Sequence, residues 1–164
     1  MPARNDAQER ARALGDELVR IHDRLRADLA AILTGAEQPG PDLRAQLYER
    51  CLSACAAVHA HHGNESERGF PLLEDRFPEL APVLAELRRE HEVLAETRRR
   101  FLGTLGRLRP GGADATGRED QGGADQGGAA DAGEVYAGLR RLAADLDAHF
   151  RREEGHLVAA LNSL

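Results

Sequence analysis

The strongest constraint in this chain is a recurrence of apolar residues at alternating steps of three and four, the period of one helix face. It is cleanest over Leu80, Leu84, Leu87, His91, Leu94, Phe101 and Leu105. Three other stretches carry it: Leu14, Leu18, Ile21, Leu25, Leu29 and Ile32; then Leu47, Cys51, Ala54 and Val58; and last Val135, Leu139, Leu142, Leu146 and Ala160. The pattern predicts four helices, over about Ala3–Leu33, Asp42–Arg68, Leu80–Leu105 and Glu134–Leu161. Only 4% of residues are aromatic against 41% hydrophobic. The core must therefore be built from Leu, Ala, Val and Ile, which favours an all-α fold over a sheet.

Turn residues separate these stretches. Thr34-Gly35 and Pro39-Gly40-Pro41 follow the first, and a proline suits a first helical turn. Gly69-Phe70-Pro71 is expected to interrupt the second, and Pro78 and Pro82 fit the start of the third. Ten of the 17 glycines fall between Gly103 and Gly133. The stretch at about 109–132 thus reads as a disordered, low-complexity loop. At 164 residues the chain reads as one domain, 1–164, folded as an up-down-up-down four-helix bundle.

A formal charge of −6 argues against nonspecific nucleic-acid binding. Arg98, Arg99 and Arg100 read instead as cations in the C-terminal half of the third helix, suited to its dipole. No apolar run is long enough to cross a bilayer, and Met1–Arg10 is polar, so no membrane association is expected and the cytoplasm is the expected location. Cys51 and Cys55 are four apart, unlike the two-residue gap of redox or zinc pairs, and read as reduced core residues.

Each apolar stripe also holds a histidine: His22, His61, His91 and His149. Two of these have a carboxylate four residues on, Glu65 and Glu153, hence on the same helix face. A neutral imidazole beside a carboxylate in a core is what a buried metal needs and a plain core avoids. At about 1.5 Å per residue, His91 and His149 fall at one level, whereas His22 and His61 match only to within a turn or more. Four imidazoles and two carboxylates exceed what one ion takes and suit two ions with bridging carboxylates. This donor set favours iron, manganese or zinc. His59 and His62 read as rim residues supporting the ligands, because Ser66 and no acid stands four after His62. His156, three after Glu153, gives the Glu-x-x-His spacing of ferritin-like sites, but no second such motif accompanies it and it reads as a helix-end residue.

The ordered set of "HDRLR" at 22–26, "HAHHGNESERGFPLL" at 59–73, "EHEVL" at 90–94 and "HFRREE" at 149–154 resembles the hemerythrin-like, or HHE cation-binding, family. The likeness covers nearly the whole chain apart from the glycine-rich insert. It implies a non-haem di-iron site, two Fe ions with an oxo or hydroxo bridge, with Zn or Mn as possible substitutes. His22, His61, His91 and His149 would be terminal ligands and Glu65 and Glu153 bridges. Oxygen carriers of the family place a second histidine four residues after the first on the third helix, where this chain has Ala95. They also space the last histidine and acid by five, which would select Glu154. These departures imply an open position at one iron. They shift the expectation from reversible O2 carriage to sensing or handling O2, peroxide, nitric oxide or iron. Three readings follow: a binding module for a small diatomic or peroxide ligand or for iron; an enzyme acting on peroxide, nitric oxide or ferrous iron; and a metal-free helical interaction module with hydrogen-bonded histidines.

Overall fold

The computed structural model describes residues 3–36, 43–107 and 124–164, and every regular element among them is helical. Four long helices dominate: α1 (Ala3–Ala36), α2 (Leu43–Asn64), α4 (Ala81–Gly106) and α5 (Ala124–Leu161). A π-helical turn (Glu65–Gly69), the short α3 (Phe70–Arg76) and a 3-10 turn (Pro78–Leu80) lead from α2 to α4. Helices α1 and α4 each pack against both α2 and α5. That closed ring of neighbours is consistent with a four-helix bundle. Partners run in opposite directions along two of these interfaces: His22 meets Glu153 and Arg26 meets Asp147 between α1 and α5, while His59 meets Arg98 and Ser66 meets His91 between α4 and the α2 side.

The apolar stripes bury as their spacing dictates, in two layers. The larger includes Leu25, Leu29, Ile32, Cys51, Val58, Leu94, Phe101, Leu142, Leu146 and Phe150. The smaller is Leu18, Phe70, Leu73, Leu84, Leu87 and Leu157. On α1, α4 and α5 a buried histidine falls between a residue of one layer and a residue of the other, and on α2 His61 follows Val58 at the edge of the larger layer. Cys51 and Cys55 are free and buried in the larger layer, and burial raises their thiols to about 12 and about 11. Such thiols are packing groups, protonated at neutral pH. No helix of the described residues is long and apolar enough to cross a membrane.

Several sequence expectations need correction. Gly69-Phe70-Pro71 does not interrupt the second helix. In the π turn the Phe70 amide bonds back to the Glu65 carbonyl, so one residue is added to a turn. Pro71 then sits at the start of α3, where its missing N–H is not needed. The real break is Phe77 (φ −133°, ψ 76°), held extended by the proline after it. Gly35 lies within α1, while Pro39-Gly40-Pro41 lies outside the described residues. The disordered loop expected at about 109–132 also falls largely outside them, but its last part is helical, since α5 begins at Ala124 and not near Glu134. Ala129, Ala130 and Ala132 favour helix, and extending a formed helix adds a bond per residue without a new nucleus. Leu14 is 48% exposed, on an open cleft that Leu18, Phe70, Leu73 and Leu157 of the smaller layer also line. Arg99 and Arg100 pair with Glu96 well before the last turn of α4, too far from it for a dipole effect.

Candidate metal centre

Seven donor side chains converge between the two apolar layers. His22 comes from α1, His61 and His62 from α2, Glu65 from the π turn, His91 from α4, and His149 and Glu153 from α5. The structure brings together all six residues singled out by spacing, and adds His62. His22 and Glu153 are 0% exposed. The Nε2 atoms of His22 and His61 are 2.8 Å apart, and those of His91 and His149 3.0 Å. Glu65 spans the two pairs, with Oε1 3.1 Å from His61 Nε2 and Oε2 3.5 Å from His91 Nε2. Glu153 spans them from the other side, its Oε2 3.3 Å from His22 Nε2 and 3.6 Å from His149 Nε2. The donors form two groups, His22, His61, Glu65 and Glu153, and His62, His91 and His149, each with its ligand atoms within 4.8 Å of one another. The level mismatch expected between His22 and His61 is absent, their Nε2 atoms being 2.8 Å apart.

Outward contacts fix which nitrogen faces inward. His22 Nδ1 lies 2.8 Å from Glu154 Oε1, which also accepts from Arg26 Nη1 at 2.9 Å. Burial would raise the Glu154 pKa, but the bonds from Arg26 and His22 outweigh it and hold the carboxyl below its usual range. An ionised Glu154 can only accept, so His22 Nδ1 donates, and in the neutral ring Nε2 is left with its lone pair pointing in. His149 repeats the arrangement: its Nδ1 lies 2.8 Å from Glu90 Oε2, and Arg152 holds the other oxygen of Glu90. Ser66 Oγ orients His91 through Nδ1 at 2.8 Å. Phe150 stacks on the His22 ring, 4.1 Å between centroids. Glu154, the acid that a five-residue spacing would choose, is thus a support for His22, and Glu153 is the one that turns inward.

The donors are mismatched to one another unless a cation lies among them. Both oxygens of Glu65, both of Glu153 and His62 Nε2 are buried and make no hydrogen bond among the described residues. Each such orphan costs about 1–3 kcal/mol, more for a charged group. Burial and the neighbouring Glu153 push the Glu65 carboxyl up to about 10. Burial, aided by neighbouring imidazoles, pulls His61 and His91 down to about 3. Ionised carboxylates and the lone pairs of neutral imidazoles repel one another, and a divalent cation among them would add an attraction to every donor that outweighs this repulsion and favours the ionised carboxylate. The donor set therefore fits a metal. A mostly apolar cleft of about 360 Å³, walled by Leu18, Ile21, Phe70, Leu73 and Leu157, reaches His61 and Glu65.

The other sequence candidates stay outside. His156 is exposed, and His59 is an exposed residue 3.3 Å from Arg98 Nη2. His62 is the residue that spacing missed; the signal was present, since Glu65 lies three residues after it and three is also a same-face step. Glu90, Arg26 and Arg152 had no sequence signal, because their roles depend on contacts between helices.

An all-helical bundle with histidines and carboxylates converging on a buried centre defines the class as a metal-binding helical domain. The family model for the hemerythrin HHE cation-binding domain matches residues 13–161. The chain belongs to that family. No curated protein and no solved structure matches it.

Proposed function

We propose that residues 1–164 form a single up-down-up-down bundle that holds two iron ions and binds or senses an O2-related small ligand (O2, peroxide or nitric oxide) or iron itself. Partners running in opposite directions along two helix interfaces support that topology. His22, His61, His91 and His149 are the terminal ligands, and Glu65 and Glu153 are the bridges. When bound, the iron pair supplies a redox-active centre for a small oxidant. The chain's residues hold it, through Nε2 atoms freed by the Nδ1 contacts to Glu154, Glu90 and Ser66. One observation carries the reading: two buried carboxylates with unpaired oxygens each lie between an imidazole of one pair and an imidazole of the other. A structural core has no use for that arrangement, and the family's cation binding agrees with it.

The apolar cleft at His61 and Glu65 supports a small, uncharged ligand approaching from that side. The partner proposed is therefore that ligand, with neither nucleic acid nor membrane involved. Free buried thiols at Cys51 and Cys55 suit the reducing cytoplasm, which we propose as its location. Loading with ferrous iron under anaerobic conditions, then admitting O2, tests the function. A new near-ultraviolet or visible band that follows O2, peroxide or nitric oxide supports ligand binding. Sustained consumption of peroxide would move the assignment to an enzyme, and a featureless spectrum with no bound iron would leave a metal-free helical module.

A further inference from the structure

The two donor groups are unequal, and the inequality turns on His62. Resting on the two-ion reading above, we propose that His62 is a fifth imidazole ligand, supplied by α2 in place of the helix-3 histidine that Ala95 does not provide.

His62 is 8% exposed and sits inside the bundle. Its ring stacks on His91, 4.2 Å between centroids and 11° between planes, and stands edge-on to His149 at 5.1 Å. Its ligand atom falls within the 4.8 Å group of His91 and His149, and its Nε2 has no hydrogen-bond partner among the described residues. A packing role explains none of this, since leucine would fill the same space without a stranded nitrogen.

The geometry of α2 explains how adjacent residues can both be ligands. Successive residues are turned by about 100° around a helix, and Glu65 falls about 40° round from His61, between it and His62. A helix at one corner of a bundle faces a neighbour on either side of its inward direction. His61 accordingly meets His22 of α1, while His62 meets His91 of α4. The carboxylate between them reaches toward both sides.

His62, His91 and His149, with the two bridging carboxylates, give one position five protein donors. His22 and His61 with the same carboxylates give the other four. The vacant ligand position is then on the His22 and His61 side, which is where the cleft reaches His61 and Glu65. His62 is not part of that cleft's lining.

The direct test is nitrogen NMR of the full chain labelled with [15N]histidine, titrated with Zn(II) as a diamagnetic stand-in for iron. Five ring nitrogens moving to metal-bound shifts, one of them absent in His62→Gln, is the expected result. Four moving, with the His62 signal unchanged, overturns the proposal while leaving the two-ion reading intact; none moving overturns both. Metal analysis after anaerobic ferrous loading gives a second measure. His62→Ala is expected to hold one of its two irons about 10–100-fold more weakly in chelator competition, with an unchanged apo circular dichroism spectrum, and retention of both at wild-type affinity overturns the proposal. If that variant does not fold, the wild-type NMR titration decides alone.

Discussion

The stretch around His61 and the stretch around His149 carry the same His-x-x-x-Glu spacing and use it differently. In α5 the motif lies within a regular helix, with Glu153 inside and Glu154, its neighbour, turned to His22 and Arg26. In α2 the motif straddles the change from α to π helix, Glu65 being the first residue of the wider turn. The α5 imidazole is tied outward to Glu90, whereas His61 meets His22 and Glu65 within the site, stands edge-on to Phe150 and lines the cleft. One stretch is held by ion-paired supports; the other borders the apolar cleft and carries the buried His62. Identical spacing thus fixes which face a donor occupies, and the surroundings decide whether it is braced or accessible.

The largest effect should come from removing a bridge. Glu65→Ala is expected to abolish tight binding of at least one of the two irons, read as metal per chain after desalting. Unchanged stoichiometry would erase the distinction between bridging and ordinary core carboxylates.

Glu65 also sets a pH dependence on the apo protein. Its carboxyl is raised to about 10 in the fold from an ordinary 4.5. The folded state therefore holds a proton that the unfolded state has lost. Its contribution is complete below 4.5 and disappears as pH rises toward 10, at about 1.4 kcal/mol per pH unit at most. His61 and His91, depressed to about 3 from 6.5, act oppositely: their contribution is present above 6.5 and is lost as pH falls toward 3. Between pH 7 and 9 only the Glu65 slope remains of these three. Apo melting temperatures should fall across that range, less so in Glu65→Gln, and metal loading should release protons measurable by calorimetry in buffers of different ionisation enthalpy. A Glu65→Gln slope equal to wild type would remove the carboxyl from this role.

Smaller effects belong to the supports. Glu154→Gln, which weakens the brace on His22, is expected to reduce metal affinity about 10–100-fold with both sites still loadable. Glu90→Gln should do the same from the α5 side, and comparable losses for the two would show that the braces are equivalent. Ser66→Ala removes only a neutral hydroxyl from His91 and should cost less than either, measured in the same chelator competition.

The sequence made the main level of the site legible. Leu18 and Leu25 bracket His22, and Leu87 and Leu94 bracket His91, so helical period alone put those imidazoles indoors. His-x-x-x-Glu placed Glu65 and Glu153 with them. The π turn escaped notice because Pro71 reads as a breaker unless the preceding hydrogen bonds shift by one residue, and local composition does not show that shift. His62 is hidden in the spacing because Ser66 and no acid stands four residues after it, while its same-face acid, Glu65, is three away. Glu90 and Arg152 meet only when α4 and α5 pack, so neither segment alone records their contact. Leu14 keeps its place in the stripe but faces the open cleft beside Leu18, Phe70 and Leu157, and that opening depends on how the other helices pack.

The central claim is that these donors meet in order to hold a pair of ions. Metal analysis of the intact chain, loaded anaerobically with ferrous iron and passed through a desalting column, tests it most directly. The account predicts two irons retained per chain, and fewer in the Glu65→Ala variant. Retention of none by the folded wild-type protein, or of the same number by both, would contradict it.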